Sequence, residues 1–323
     1  MAPKVILGPV IGIVDQTSAR ILLEIDVDAE VKIQLVPNQP TVRGWWGRSA
    51  APRSQSQVTE FELDADTLPF VCRTRMTANR AAAFAFSSLK PGTCYTVQIL
   101  GADPQEESPG TPLRSSFTTM PENLQDRTDF KFLTLSCNDI SCSVTGTTNA
   151  WEALWDVVQK GDIMFLAHIG DQVYSDSGLK DVDRAKMETW QTRIDPAKPG
   201  GAYAEAIGML QDLPHDAAAW EARRNDICEA YRRVYRATWN DPFTKRVLAT
   251  VPNIMVTDDH EFRDDWGDLN GVVAGQVLGG ESSTSDLQPT NPASFISSCA
   301  LQVTVACMPS DIFQWQFGMF FDD

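Results

Sequence analysis

Apolar and polar positions alternate along the first third of the chain. Ser18 to Asp26 (SARILLEID) and Val31 to Val36 (VKIQLV) change side with every residue, the period of a half-buried strand. Ala81 to Phe86 predicts another strand. Leu89 to Ile99 (LKPGTCYTVQI) predicts a Pro-Gly turn feeding a strand in which Tyr95, Val97 and Ile99 share a face. Ser115 to Thr119 closes the set before Pro121. Short strands at this spacing with no long helix predict an all-β sandwich over residues 1–120. Residues 121–128 (PENLQDRT) are polar and predict a linker.

From residue 129 onward the pattern becomes strand then helix. Residues 149–160 place Trp151, Leu154, Trp155 and Val158 on one helical face, with Gly161 as the stop. Residues 202–211 and 225–238 are further helical segments, and Ile227, Tyr231, Val234 and Tyr235 line one side of the second. Alternating strands and helices predict an α/β layered domain over 129–323. The stretch 267–310 is rich in Gly, Ser and Gln with few charges, and within it GVVAGQVLGGESSTSD (271–286) reads as a loop. The chain ends in an apolar, strand-like FQWQFGMFFDD.

Three predicted strands empty into polar residues. FKFLTLSCND (130–139) delivers Cys137. GDIMFLAHIGDQVYSD (161–176) delivers His168, Asp171 and Tyr174, and VPNIMVTDDHEF (251–262) delivers Asp259 and His260. In open α/β sheets the carboxyl edge is where ligands bind. A thiolate suits a transition metal and carboxylates suit calcium or magnesium. Asp171 and Tyr174, three residues apart on a loop, can reach one cation, and a phenolate ligand points to ferric iron. The run from Thr257 to Asp268 holds five Asp, one Glu and one His. Like charges packed at a strand end repel unless a cation neutralises them. The bland alternatives are a solvated acidic turn and a core cysteine, which predict a chain without stoichiometric metal.

Composition narrows the partners. The formal net charge is −16, so no basic surface for nucleic acid or acidic membrane is expected. An anionic substrate then needs bound cations. Seven cysteines without regular spacing predict mostly reduced, buried thiols, and in an oxidising compartment Cys299 and Cys307 could bridge. No run is long enough to cross a bilayer. The apolar Val5 to Val14 is broken by Gly8-Pro9 and lacks a cleavage pattern, so it reads as strand rather than export leader and leans towards a cytoplasmic location.

H-I-G-D-Q-V-Y-S-D, the S-C after a strand, and D-D-H-E-x-x-D-D-W-x-D together resemble the PhoD-type alkaline phosphatase and phosphodiesterase family. The L-x-P-G-T-x-Y segment and closing F-x-T strand resemble a fibronectin type III module. The resemblance implies a multidomain chain: a fibronectin III-like β-sandwich, then a calcineurin-like α/β metallophosphoesterase domain with ferric iron and calcium, other divalent cations being possible. It implies metal-dependent hydrolysis of small phosphate esters, monoesters or diesters. Cys137, Asp171 and Tyr174 would hold iron, with Asp171 bridging to calcium. Asp259 would bind metal beside its catalytic partner His260, which would act near the leaving group. The family pattern has an asparagine pair where Asp264 and Asp265 stand, and these two are carried as candidate metal ligands. A further C-terminal motif with Asp and His ligands is expected beyond the end of this chain. The alternative is therefore a non-catalytic metal-binding paralogue or fragment acting as a binding module.

Overall fold

The structure is a computed structural model that describes residues 2–38, 70–123, 130–139, 150–161, 163–176, 201–214, 216–263 and 292–308. Strands β1 (Val5–Val14), β2 (Ala19–Ile25), β3 (Ala29–Pro37), β4 (Phe70–Met76), β5 (Ala82–Phe86), β6 (Cys94–Leu100), β7 (Glu106–Ser108), β8 (Thr111–Pro112) and β9 (Ser116–Thr118) come first. They are followed by β10 (Leu133–Leu135), α1 (Ala150–Val158), β11 (Leu166–Ile169), α2 (Gly201–Leu210), α3 (Ala217–Glu221), α4 (Arg224–Trp239), α5 (Pro242–Leu248), β12 (Asn253–Val256) and α6 (Pro292–Cys307). Contacts divide the chain into two compact units. One comprises Met1–Leu133, Thr148–Ala167 and Pro242–Ile254, the other Thr134–Thr147, His168–Asp241 and Met255–Asp323.

In the first unit two antiparallel sheets, ordered β1-β2-β5 and β4-β3-β6-β9, contribute to one core. The alternation predicted for β3 is what builds it. Val31, Ile33 and Leu35 are fully buried while Glu30 is exposed, and Tyr95, Val97 and Phe117 join them from β6 and β9. The Tyr95 and Phe117 rings stack at 5.7 Å, and the Tyr95 hydroxyl accepts the Lys90 N–H at 2.8 Å across the Pro-Gly turn. Burial raises the Tyr95 pKa above the ordinary phenol value, so the hydroxyl stays protonated. Gly8 sits at φ +88°, where a Cβ would run into the Leu22 carbonyl oxygen. Its bulge lets β1 slip register between Leu7 and Val10 and still pair with β2. Strand β4 was not foreseen in the sequence because its outward Arg73 and Arg75 sit among residues that bury only partly.

Strands β10, β11 and β12 form a separate sheet in that order. Met164 N–H donates to Lys131 O at 2.9 Å and Leu133 N–H to Phe165 O at 3.2 Å, so β10 and β11 run the same way. Helix α1 intervenes between them and buries Trp151 and Val158 from its predicted face.

In the second unit α4 buries the four predicted residues and also Cys228, Ala230, Ala237 and Trp239, because α2 and α6 both pack on it. The Tyr235 hydroxyl donates to Thr304 Oγ1 at 3.1 Å. Helix α6 lies within the Gly-, Ser- and Gln-rich stretch 267–310, whose predicted loop (271–286) is outside the described residues. Ile296, Cys299, Ala300, Val303, Thr304 and Cys307 are buried at helical spacing, but small and weakly polar residues give little contrast between faces. A Cys299–Cys307 bridge is also excluded. Both thiols are free, and eight residues of helix separate them by about 12 Å. The Cys299 thiol instead lies beside Cys228 of α4, whose hydrogen bond raises its pKa together with burial. The C-terminal FQWQFGMFFDD lies outside the described residues. Among the described residues no helix is long and apolar enough to cross a membrane.

Candidate metal centre

The loops that leave β10, β11 and β12 carry the candidate residues, and Cys137, Asp171, Tyr174, Asp259 and His260 all lie in the second unit. Cys137 and Asp171 have φ values of 56° and 54°, two of the four positive-φ non-glycine residues among the described residues. Such backbone costs of order 1 kcal/mol or more and persists where its surroundings enforce it. Here Asn138 does so, its N–H donating to Asp171 O at 2.8 Å and its Nδ2 to Gln172 O at 3.1 Å. Gly170 precedes Asp171 at φ +107°, and a Cβ there would lie 2.6 Å from Asp258 Cβ. Only glycine allows the two loops this approach.

Asp171 is the hub. It is 6% exposed. Its Oδ2 accepts the Cys137 thiol at 3.5 Å and the Tyr174 hydroxyl at 3.3 Å, while Oδ1 accepts the His260 N–H at 3.3 Å. Ligand atoms of Asp171, Asp259 and His260 all lie within 4.8 Å of one another. Burial holds Asp171 above the ordinary aspartate range and the Asp259 charge adds to it, against the hydrogen bonds from Cys137 and His260. Burial likewise pushes the Tyr174 phenol far up, with Cys137 and Asp171 reinforcing the shift. Two carboxylates, an imidazole, a thiol and a phenol so placed have the donor chemistry of a cation site.

His260 is held on two sides. Its Nδ1 lies 2.9 Å from Asp176 Oδ1, and its ring stacks on that of Tyr174. Burial lowers its pKa, but the Asp176 hydrogen bond and the charges of Asp176, Asp259 and Asp171 prevail and raise it. Behind it Glu261 is fully buried. Burial pushes that carboxyl up to about 7, although the backbone N–H groups of Asp258 and Gln172 oppose the shift. The Tyr231 hydroxyl of α4 donates to Phe262 O at 3.1 Å and fixes the end of this loop.

The structure thus gathers Cys137, Asp171, Tyr174, Asp259 and His260, whereas Asp264 and Asp265 lie outside the described residues. Sequence reasoning missed the roles of Asp176, Glu261 and Gln172. Asp176 closes the same motif as Tyr174, but its spacing there carries no sign of a partner 84 residues away.

Acidic side chains gathered around an imidazole at strand ends, on a sheet-rich fold with several helices, define a candidate metal-binding class of protein. Comparison narrows the class. A family model described as PhoD-like phosphatase matches residues 132–278, the stretch that holds all these residues, so the resemblance to the PhoD-type family is shown. A solved structure described as "Structure of PhoD" aligns with a TM-score of 0.51 and 13% identity, over 95% of this chain and 46% of that one. At that identity the likeness speaks for fold alone, and the chain spans just under half the length of that protein. A redesigned β-sandwich protein aligns over 35% of this chain and 90% of its own at 16% identity, with a TM-score of 0.19, too low to argue from. No curated protein sequence matches the chain.

Proposed function

We propose that the chain hydrolyses small phosphate esters, monoesters or diesters, as a metal-dependent PhoD-like phosphatase. The observation that carries this reading is the gathering of Asp171, Asp259 and His260 within 4.8 Å, with Cys137 and Tyr174 both reaching Asp171. Cys137, Asp171 and Tyr174 would hold a ferric ion, since thiolate and phenolate suit a transition metal. Asp171 and Asp259 would hold calcium or another hard divalent cation, with Asp264 and Asp265 as further candidates. When bound, these ions polarise the phosphoryl group and lower the pKa of the attacking water.

The remaining chemistry belongs to the side chains. With Nδ1 of His260 taken by Asp176, Nε2 is the nitrogen that gives a proton to the leaving oxygen. Asp176 favours the imidazolium, and the Tyr174 ring keeps its plane. A protein of net charge −16 attracts an anionic ester only through bound cations, so chelation abolishes both binding and turnover.

The same reading covers the architecture. A fibronectin III-like sandwich over residues 1–120 is supported by the two-sheet core and the Tyr95 bond across its turn. A linker at 121–128 and an α/β metallophosphoesterase domain over 129–323 complete it.

The deciding experiment is elemental analysis of the gel-filtered chain with a visible spectrum of the same sample, followed by assay on p-nitrophenyl phosphate and bis(p-nitrophenyl) phosphate. Iron near one per chain and turnover lost in Asp171→Asn are the expected results. Full activity and normal metal content in Asp171→Asn would falsify the reading.

A further inference from the structure

We propose that Glu261 is a positioning residue that ties the loop carrying Asp171 to the loop carrying Asp259 and His260, and so sets the spacing of the metal ligands. This rests on the metal-site reading above. Glu261 is 0% exposed. One carboxylate oxygen, Oε1, accepts the N–H of Gln172, and the other, Oε2, accepts the N–H of Asp258 at 2.8 Å. Each donor is the chain neighbour of a candidate ligand, Gln172 following Asp171 and Asp258 preceding Asp259. A single rigid group therefore grips both loops at the peptide units next to the ligands.

The choice of residue has a physical reason. A buried carboxylate is unfavourable unless both oxygens are satisfied, and an apolar side chain would fill the same space. What Glu261 adds is direction, because the N–H of Gln172, 89 residues away, and the N–H of Asp258, three residues away, converge on one carboxylate. The Gln172 side chain strengthens the same seam by donating to Val256 O. The other cross-links, His260 N–H to Asp171 Oδ1 and Ser175 N–H to His260 O at 2.9 Å, involve a ligand side chain or lie beyond Tyr174. Only Glu261 among these accepts from both ligand-bearing backbones at once. Groups that orient metal ligands from behind typically matter 10- to 100-fold in affinity.

Glu261→Gln tests this, since an amide turns one accepting oxygen into a donor facing an N–H. The chain is titrated with Mn2+ and followed by EPR, alongside chemical denaturation without metal and assay of the metal-loaded chain. The control is Glu205→Gln, which removes the Glu205–Arg233 pair (2.5 Å) between α2 and α4. Expected for Glu261→Gln is a 10- to 100-fold loss of Mn2+ affinity, with kcat falling at least tenfold and KM within about twofold. Glu205→Gln changes stability alone. If Glu261→Gln behaves like that control, the proposal is overturned. Should it not fold, amide hydrogen exchange of the wild-type chain decides. Mn2+ must slow Gln172 and Asp258 together, and a change at one amide alone, or at neither, overturns the coupling. A wild-type chain that binds no Mn2+ removes the metal-site reading itself, a result distinct from a wild type that binds beside an unaffected variant.

Discussion

The ring of Tyr174 stacks on the ring of His260, centroids 3.9 Å apart and planes at 24°, while its hydroxyl donates to Asp171 Oδ2. One side chain thus touches both Asp171, the candidate metal ligand, and the proposed acid. The two contacts separate by substitution. Tyr174→Phe keeps the stack and removes the hydroxyl, so the expected outcome is loss of any tyrosinate-to-iron absorption band with stability changed by about 1 kcal/mol or less. Tyr174→Ala loses the stack as well, a further 0.5–1.5 kcal/mol or so by urea denaturation. Equal spectra for wild type and Tyr174→Phe count against phenolate ligation.

Asp176 holds His260 Nδ1 at 2.9 Å, and both side chains are mostly buried, at 14% and 19% exposure. Asp176→Asn leaves a neutral partner of the same shape. Since a positioned general acid contributes roughly 10²- to 10⁴-fold, kcat is expected to fall about 10- to 100-fold at unchanged metal content. Assays on an ester with a good leaving group separate the roles. If Asp176 serves proton donation, the loss shrinks there, whereas a uniform loss across leaving groups points to a structural role.

Gly170 tests the close approach of the two loops. Its φ of +107° disfavours any side chain, and an alanine methyl would stand 2.6 Å from Asp258 Cβ. Gly170→Ala is expected to cost about 2 kcal/mol or more and to lower activity by displacing the loop that bears Asp259. Unchanged denaturation midpoint and turnover contradict the geometry.

Asp15 offers a pH-dependent prediction far along the chain from the site. It accepts the N–H of Thr17, the N–H of Ser18 and the Ser18 hydroxyl, each at 2.6 Å. Partial burial raises its pKa, but these bonds outweigh it and the net shift is downward. A carboxyl with a folded pKa below its unfolded one contributes stability in full above the unfolded value, and the contribution is lost as pH falls through the folded value. Stability should therefore decline below about pH 4, and Asp15→Asn should flatten part of that decline. At neutral pH the variant costs about 1 kcal/mol or less, because the turn is exposed. Urea melts at a series of pH values measure both.

Much of this was legible beforehand for a local reason. Strand β3 declares itself because Val31, Ile33 and Leu35 alternate with polar residues. Helix α4 does so because Ile227, Tyr231, Val234 and Tyr235 recur at helical spacing against arginines, Asp226 and Glu229. Helix α6 was hidden because serine, cysteine and alanine serve either face. Strand β4 was hidden because its arginines interrupt a short, half-buried run.

By itself the sequence determined which residue types stand at the ends of three apolar strands. Periodicity and chain-neighbour chemistry are properties of short segments, and they identified Cys137, Asp171, Tyr174, Asp259 and His260 as candidates. Only the tertiary structure decided that Asp176 would hold His260, that Asp171 would receive both Cys137 and Tyr174, and that Glu261 would grip the backbone beside two candidate ligands. Those relationships depend on which strand ends the sheet order β10-β11-β12 brings side by side. Hydrogen bonds are short and directional, so partners dozens of residues apart in sequence are chosen by where the folded backbone delivers them.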